Sequence, residues 1–318
     1  MRRSGSESGA FHYAQNLSKN PRRVIFVPTD LSYLAVHMPL LHELAQKSVS
    51  NSLILLCEED FHPLFKVLGL EKHCLFVRFS TMRFGDPAFQ TIESQLRSHK
   101  SEVSVMLDPK PSLLMLYLAR ACGSTYRVGA NVASDYPFLN ISFSKSQGAS
   151  PYSFRTSLET IFQVTHDAHP HPLAHNPAQL SSRNVFLLNL EPSVSGKDWS
   201  AEELTGLLQR LDPHFRLLAL VPDQKLLDRF APLLDRLAIR TAPIASSYTA
   251  FLDLLRQYKG LVTLNSAHAQ LAMNVSKIPT LLISEPELTN WIPQDCTSVH
   301  TLERGKALPA NPFASIAG

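Results

Sequence analysis

The chain of 318 residues is short of charge, with Asp, Glu, Lys and Arg making up 18% of it against 44% hydrophobic residues. That balance excludes an extended disordered chain and leaves enough apolar side chains for well-filled cores. An excess of one sign is also lacking. Thirty Lys and Arg against 27 Asp and Glu give a net charge of +3, too weak and dispersed to make nucleic acid the partner, although compatible with anionic small molecules. Four cysteines, Cys57, Cys74, Cys122 and Cys296, are widely separated and form neither a C-x-x-C pair nor a Cys/His zinc pattern. They read as reduced core thiols, which excludes a disulfide framework and goes with a cytoplasmic chain. No apolar run approaches the ~18 residues of a membrane span, and the N-terminus has no signal-peptide core, so a soluble chain with at most peripheral membrane contact is expected. Arg2, Arg3, Arg22 and Arg23 read either as a solvated tail or as a weak attraction to an anionic surface. Absent too are a G-x-S-x-G elbow, an H-E-x-x-H helix and a G-x-x-x-x-G-K-[ST] loop, which leaves hydrolase, metalloprotease and P-loop chemistry without support.

What is present is alternation. Residues 1–20 carry Ser, Gly and charge without periodicity and read as a flexible tail. From Arg22 onward, apolar strands alternate with helical stripes: Val24–Val27, the stripe Leu34, His37, Met38, Leu41 and Leu44, then Leu53–Cys57, His62–Leu68, Leu75–Phe79, Phe89–Ser98, Val103–Leu107, Ser112–Ala121 and Tyr126–Gly129. Strands separated by crossover helices specify a parallel sheet covered on both faces. A second series runs through Val185–Leu190, Ala201–Leu211, Leu217–Val221, Gln224–Leu237, Thr249–Tyr258 and the unit Lys259–Pro293. The length suits two domains of about 150 residues each. The predicted division is a tail over 1–20, a Rossmann-like domain over 21–150, a linker region over 151–182 and a second Rossmann-like domain over 183–318, with a cleft between the two domains.

Between the two series, His166, His169, His171 and His175 invite a metal reading. Pro170 and Pro172 prevent a regular helix that would align the rings, and no Cys or acidic partner stands at ligand spacing, so a linker and no metal site are expected. Asp108-Pro109-Lys110 follows a strand, where Asp108 reads equally as a helix cap and as a ligand contact. The run Ser193 to Trp199 follows the strand ending at Leu190 and offers the hydroxyls of Ser193 and Ser195, a flexible Gly196 and the cationic Lys197. A helix then opens at Ser200 with Glu203 completing a capping box. Lys197 reads as a phosphate contact or as a solvated lysine. In the Lys259–Pro293 unit, the apolar run Leu261–Leu264 leads to Asn265 and Ser266, both good N-caps, and then to Ala267, Leu271 and Val275 at helical spacing. A capped helix after a strand presents unpaired N–H groups to an anion, while the same unit also occurs simply as packing.

The colinear order of four segments resembles glycosyltransferase family 9, the ADP-heptose:lipopolysaccharide heptosyltransferase group. VIFVPTDLSYLAVHMPLLHEL resembles its opening strand, Gly-Asp turn and helix, and YRVGANVASDYPFLN its R-x-G segment. LNLEPSVSGKDWSAEEL resembles its phosphate loop with K-x-W, and LNSAHAQLAMNVSKIPTLLI its D-S-G-x-x-H-L-A-A signature. The resemblance implies an α/β fold of GT-B architecture and an inverting transfer of sugar from a nucleoside diphosphate sugar to a surface glycan or lipid-linked acceptor. No cofactor or metal is implied. The acceptor hydroxyl needs a carboxylate base, which in the family is the Asp of the Gly-Asp turn. The departing diphosphate needs a cation and a helix dipole.

This chain departs from the pattern at those places. The Gly-Asp turn falls on Ser32 and Tyr33, so a phenol holds the base position and Asp30 is the substitute candidate, a turn-forming Asp being the alternative. In the signature Asn265 replaces Asp, Ala267 replaces Gly and Gln270 replaces His, while Ser266, Leu271, Lys197 and Trp199 persist. The donor-binding set implied by the resemblance is therefore Ser193, Ser195, Lys197, Asn265, Ser266 and Gln270. The competing expectation is an inactive homologue that binds a sugar nucleotide or serves as a scaffold.

Overall fold

The computed structural model describes residues 21–130, 138–142, 151–164, 184–211, 214–221, 223–242, 247–293, 297–307, 309 and 312–313. The tail over 1–20, the histidines His166, His169, His171 and His175, and Cys296 lie outside the described residues. The chain divides into two compact units, Met1–His169 and Pro170–Gly318.

In the first unit the strands are β1 (Arg23–Phe26), β2 (Leu53–Glu58), β3 (Cys74–Val77), β4 (Val103–Met106), β5 (Tyr126–Gly129) and β6 (Ile141–Ser142). They form one parallel sheet in the order β3-β2-β1-β4-β5-β6. Helices α1 (Leu31–Lys47), α2 (His62–Val67), α3 (Pro87–His99) and α4 (Leu113–Ala121) make the crossovers, and α5 (Pro151–Phe162) follows. Val24, Ile25, Phe26 and Val27 are buried to 1% exposure or less, as a central strand covered on both faces requires.

The second unit repeats the plan with β7 (Val185–Asn189), β8 (Arg216–Leu220), β9 (Arg240–Thr241), β10 (Gly260–Leu264), β11 (Thr280–Ser284) and β12 (Val299–Glu303). Its parallel order is β12-β11-β10-β7-β8-β9. Helices α6 (Ala201–Gln209), α7 (Gln224–Arg236), α8 (Tyr248–Leu255) and α9 (Ala267–Leu271) connect the strands. Counted within its own unit, each sheet runs 3-2-1-4-5-6, the Rossmann order. The strand order reverses between β1 and β4 in one unit and between β7 and β10 in the other, and such sheets bind ligands at the carboxyl ends of those strands. Gly260 opens β10 because a Cβ there would lie 2.9 Å from the Phe186 ring and from the Pro279 carbonyl.

Two local departures from the sequence expectation have physical causes. The helix after Ser266 is α-helical only to Leu271 and continues as a π turn over Ala272–Ser276. There the Asn274 amide donates to the Gln270 carbonyl at 2.9 Å and Lys277 N bonds Ala272 O, which widens the turn. The strands β6, β9 and β12 were not foreseen. Two of them are two residues long and the third mixes His, Thr and Glu with Val and Leu, so edge pairing rather than an apolar run defines them. No helix among the described residues is long and apolar enough to cross a membrane.

Helix α5 packs on α1, where Arg155 donates to the Val36 carbonyl at 3.1 Å and pairs with Glu159 at 2.9 Å. Beneath it His37 is fully buried with neither ring nitrogen hydrogen-bonded, its ring edge-on to Phe154 at 5.9 Å. Burial, reinforced by the Arg155 guanidinium, pushes this imidazole down to about 3. In the unfolded chain it titrates near 6.5, so between these values the unfolded state binds a proton that the folded state refuses. Stability is therefore lost as the pH falls from 6.5 towards 3. His37→Leu removes this contribution. Between about pH 7 and about pH 5, where only the unfolded imidazole gains charge, the melting temperature of the variant is expected to fall less than that of the parent. Parallel curves contradict the assignment.

Candidate functional site

At the reversal point of the second sheet, the exits of β7 and β10 are tied by buried polar bonds. The Asn189 amide donates to Thr263 Oγ1 at 3.1 Å and to Ser266 Oγ at 2.9 Å, its Oδ1 accepts from Glu191 N at 3.2 Å, and its carbonyl accepts from Trp199 Nε1 at 2.8 Å. Trp199 is 5% exposed and belongs to the core with Phe186, Leu188, Leu204 and Val262. The Trp of the K-x-W motif thus holds the strand exit from below.

The loop that follows is closed on itself. Ser193 N donates to the Lys197 carbonyl and Gly196 N to the Ser193 carbonyl, both at 2.8 Å, and Gly196 takes φ +82°, which favours glycine. Ser193 Oγ meets Ser195 Oγ at 2.7 Å and accepts from Lys197 N at 3.2 Å. Val194 N donates to the Asn265 carbonyl at 2.8 Å, which fastens the loop to the β10 exit. The Lys197 ammonium pairs with Glu287 at 2.5 Å, both side chains about half exposed. The Lys197 hydrogen bond is the main reason the Glu287 carboxyl lies below its ordinary value. Such surface pairs are weak and exchange readily for a stronger anion. The expected capping box is in place, with Ser200 N on Glu203 and Glu203 N on Ser200 Oγ.

Asn265, Ser266 and Gln270 are fully buried. Ser266 is the N-cap of α9, accepting from Ala269 N at 3.1 Å. Gln270 donates to Asn265 Oδ1 and to the Trp291 carbonyl, each at 2.7 Å. These three predicted donor contacts form an internal lattice, while Ser193, Ser195 and Lys197 form the loop beside it. Two residues that the sequence did not single out complete the site. Glu191 accepts from His268 N and from His268 Nδ1, each at 3.0 Å, and both side chains are 17% exposed. Burial pushes the Glu191 carboxyl up, but the bonds from His268 and Ser266 hold it below its ordinary value overall. A carboxylate of the chain therefore occupies part of the helix N-terminus at which a phosphate was expected. The residues stand 77 apart, beyond any local pattern; the only sequence signal was a Glu two positions after the strand's last residue.

A third unforeseen residue braces the same edge. Arg304, after β12, bonds Glu203 at 2.6 and 2.9 Å, Glu285 at 2.9 Å and the Asp198 carbonyl. It thereby joins the start of α6, the β11 exit and the turn after Lys197.

In the first unit, Asp30 is exposed at the β1 exit and caps α1, its Oδ1 accepting from Ser32 N at 2.9 Å, from Tyr33 N at 3.2 Å and from the Ser32 hydroxyl. Burial, then the Asp30 and Asp108 carboxylates, push the Tyr33 phenol further above its ordinary value, which leaves it a poor base near neutrality. Asp108 at the β4 exit accepts from Thr29 N at 3.2 Å, Thr29 Oγ1 at 3.1 Å and Lys110 N at 2.9 Å, so it ties the two loops rather than capping a helix. Among the described residues no group of three or more His, Cys, Asp or Glu is arranged to hold a metal ion.

No protein-family profile matches the chain, and no curated protein matches its sequence. The class is defined by the fold: two Rossmann-like α/β units in one chain, the GT-B architecture. Within that class the likeness is to family 9 and its heptosyltransferases. A glycosyl transferase family 9 structure from Veillonella parvula matches at TM-score 0.63 and 14% identity over 89% of this chain and 86% of that one. ADP-heptose lps heptosyltransferase II of E. coli matches at 0.65 and 12% identity over 92% and 95%. E. coli heptosyltransferase WaaC with ADP matches at 0.64 and 14% over 92% and 96%. At these identities the likeness is one of fold, and it bears out the architecture read from the four motifs.

Because Glu285 is 1% exposed, Arg304→Ala leaves a carboxylate buried without its cation. The expected loss is about 3 kcal/mol, read from the urea midpoint of the whole chain. A loss under about 1 kcal/mol, the scale of an exposed pair, contradicts the bracing role.

Proposed function

We propose that the chain is a glycosyltransferase-like protein that binds a nucleoside diphosphate sugar at the exits of β7 and β10 and transfers the sugar, with inversion, to a surface glycan or lipid-linked acceptor. The observation that carries the reading is the Ser193–Lys197 loop, pinned to the reversal point of the second sheet through Val194 N and Asn265 O, with the Lys197 ammonium paired, among the described residues, with the exposed Glu287 carboxylate alone. On arrival of a diphosphate, Lys197 exchanges Glu287 for phosphate oxygens, and its charge offsets what builds on the leaving group. At the acceptor, Asp30 takes the hydroxyl proton as the oxygen attacks the anomeric carbon and the bond from that carbon to the diphosphate oxygen breaks. The capping bonds to Asp30 all fall on Oδ1, which orients the carboxylate and leaves Oδ2 to receive the proton. The reading puts the protein in the cytoplasm, with at most peripheral contact with the inner membrane.

A second reading, binding without transfer, is favoured by Tyr33 at the base position and by Glu191 at the α9 N-terminus. Two variants separate the readings. Lys197→Ala is expected to weaken calorimetric binding of ADP- or UDP-sugars by roughly tenfold, the scale of one charge-assisted hydrogen bond. Asp30→Asn keeps an equally good helix cap, so stability and binding are retained while turnover is lost. Turnover that survives Asp30→Asn contradicts its role as base, binding with no turnover in the parent favours the second reading, and a flat titration across donors contradicts both.

A further inference from the structure

The strand starts of the first sheet, the edge opposite to the β1 and β4 exits, open onto a cavity of about 510 Å³. The connections arriving at β1, β2 and β3 and the end of the helix before β4 contribute to it: Arg22 immediately before β1, Asn51 before β2, Lys72 and His73 before β3, and Gln95 and His99 from α3. Two fixed cations and two imidazoles line it, and no carboxylate does. The nearest acidic residue along the chain, Glu71, is turned away onto His62 at 2.8 Å.

The imidazoles are stationed rather than loose. His73 is hydrogen-bonded to the Leu53 backbone and His99 to the Arg23 backbone. Arg23 and Leu53 are register partners on adjacent strands, so the two rings stand over neighbouring strand starts. Nε2 of each ring is shielded from water and has no hydrogen-bond partner among the described residues. Burial, then Lys72 in one case and Arg22 in the other, holds both imidazoles below their ordinary value. Arg22 itself is fixed by its bond to the His99 carbonyl at 3.1 Å. Two cationic side chains and two imidazoles line one cavity with no carboxylate among its lining residues, and each ring carries a buried nitrogen without a partner among the described residues, a set that suits an anionic hydrogen-bonding ligand.

We propose that this cavity binds a phosphate group, with Arg22 and Lys72 supplying the charge and the Nε2 atoms of His73 and His99 the directed contacts. Burial, and after it the charges of Lys72 and Arg22, disfavours the protonated rings; a phosphate seated there offsets those charges and favours protonated rings that donate Nε2–H to its oxygens. The only other titratable group lining the cavity is the Cys74 thiol, whose hydrogen bond goes to the Leu70 carbonyl at 3.3 Å. Binding is thus coupled to protonation near neutrality, where the imidazoles alone among the lining side chains change charge and the second ionisation of phosphate also falls. The site stands independently of sugar-nucleotide binding, which involves the second sheet.

Inorganic phosphate titrated into the whole chain, with the histidine Cε1–H resonances followed by NMR, tests this. Both the His73 and His99 signals are expected to move and to titrate at higher pH with phosphate present than without. Lys72→Ala combined with Arg22→Ala, both exposed positions at which the fold is expected to be kept and is checked by circular dichroism, should weaken binding at least roughly tenfold. Vesicles of phosphatidic acid against phosphatidylcholine distinguish a lipid headgroup from a free phosphate. The proposal is overturned if neither phosphate nor phosphatidic acid moves the two resonances, or if the double variant binds as the parent does.

Discussion

The second unit depends on one buried amide. Asn189 closes β7 by reaching across to Thr263 and Ser266 of the β10 exit while its own carbonyl is held by Trp199. A strand exit in a parallel sheet leaves backbone groups without a partner strand, and buried polar groups must be paired. The Asn189 side chain pairs polar groups on both sides of the point where the strand order reverses, the Glu191 N–H on its own side and the Thr263 and Ser266 hydroxyls on the other. Ser266 is thereby fixed as the cap of α9, Glu191 is brought to His268, and the Ser193–Lys197 loop is laid against Asn265. Arg304 then clamps the outer side through Glu203, Glu285 and Asp198. The site is a set of loops made rigid by a polar lattice beneath them, and the residues able to meet a ligand are those the lattice leaves over.

This distinction changes the meaning of the signature around Asn265. Asn265, Ser266 and Gln270 have neutral hydrogen-bonding side chains, and all three are buried and bonded to one another or to neighbouring elements. Neutral amides need no counter-charge in such a place, although Asn265 Nδ2 has no hydrogen-bond partner among the described residues, whereas a buried carboxylate needs a cation or several donors. The one carboxylate at the helix start is Glu191, and it has its donors in His268 and Ser266. In the first unit Asp30 serves the fold as a cap through one oxygen. The proposed role as base would fall to the other oxygen, whose direction the cap fixes.

The fold was legible because it rests on period and run length. The buried strands Val24–Phe26 and Val262–Leu264 read as apolar runs, the capping box at Ser200 and Glu203 as a local motif, and the order of four motifs as one architecture. The short edge strands were not legible, since pairing with a neighbour rather than composition makes them strands. Nor was the Glu191–His268 pair, whose members meet only because β7 and β10 are neighbours at the reversal point. The same holds for His73 and His99, which look like two surface histidines until the register of Arg23 with Leu53 brings their rings to adjacent strands.

A nucleotide bound at the exits of β7 and β10, as proposed, leaves a direct trace in amide hydrogen exchange of the whole chain measured with and without ADP. Bound nucleotide is expected to slow exchange in residues 190–197 and 265–271 and to leave the strand starts of that sheet unchanged. Exchange that is unaltered in those two segments, or protection confined to the first unit, contradicts the account.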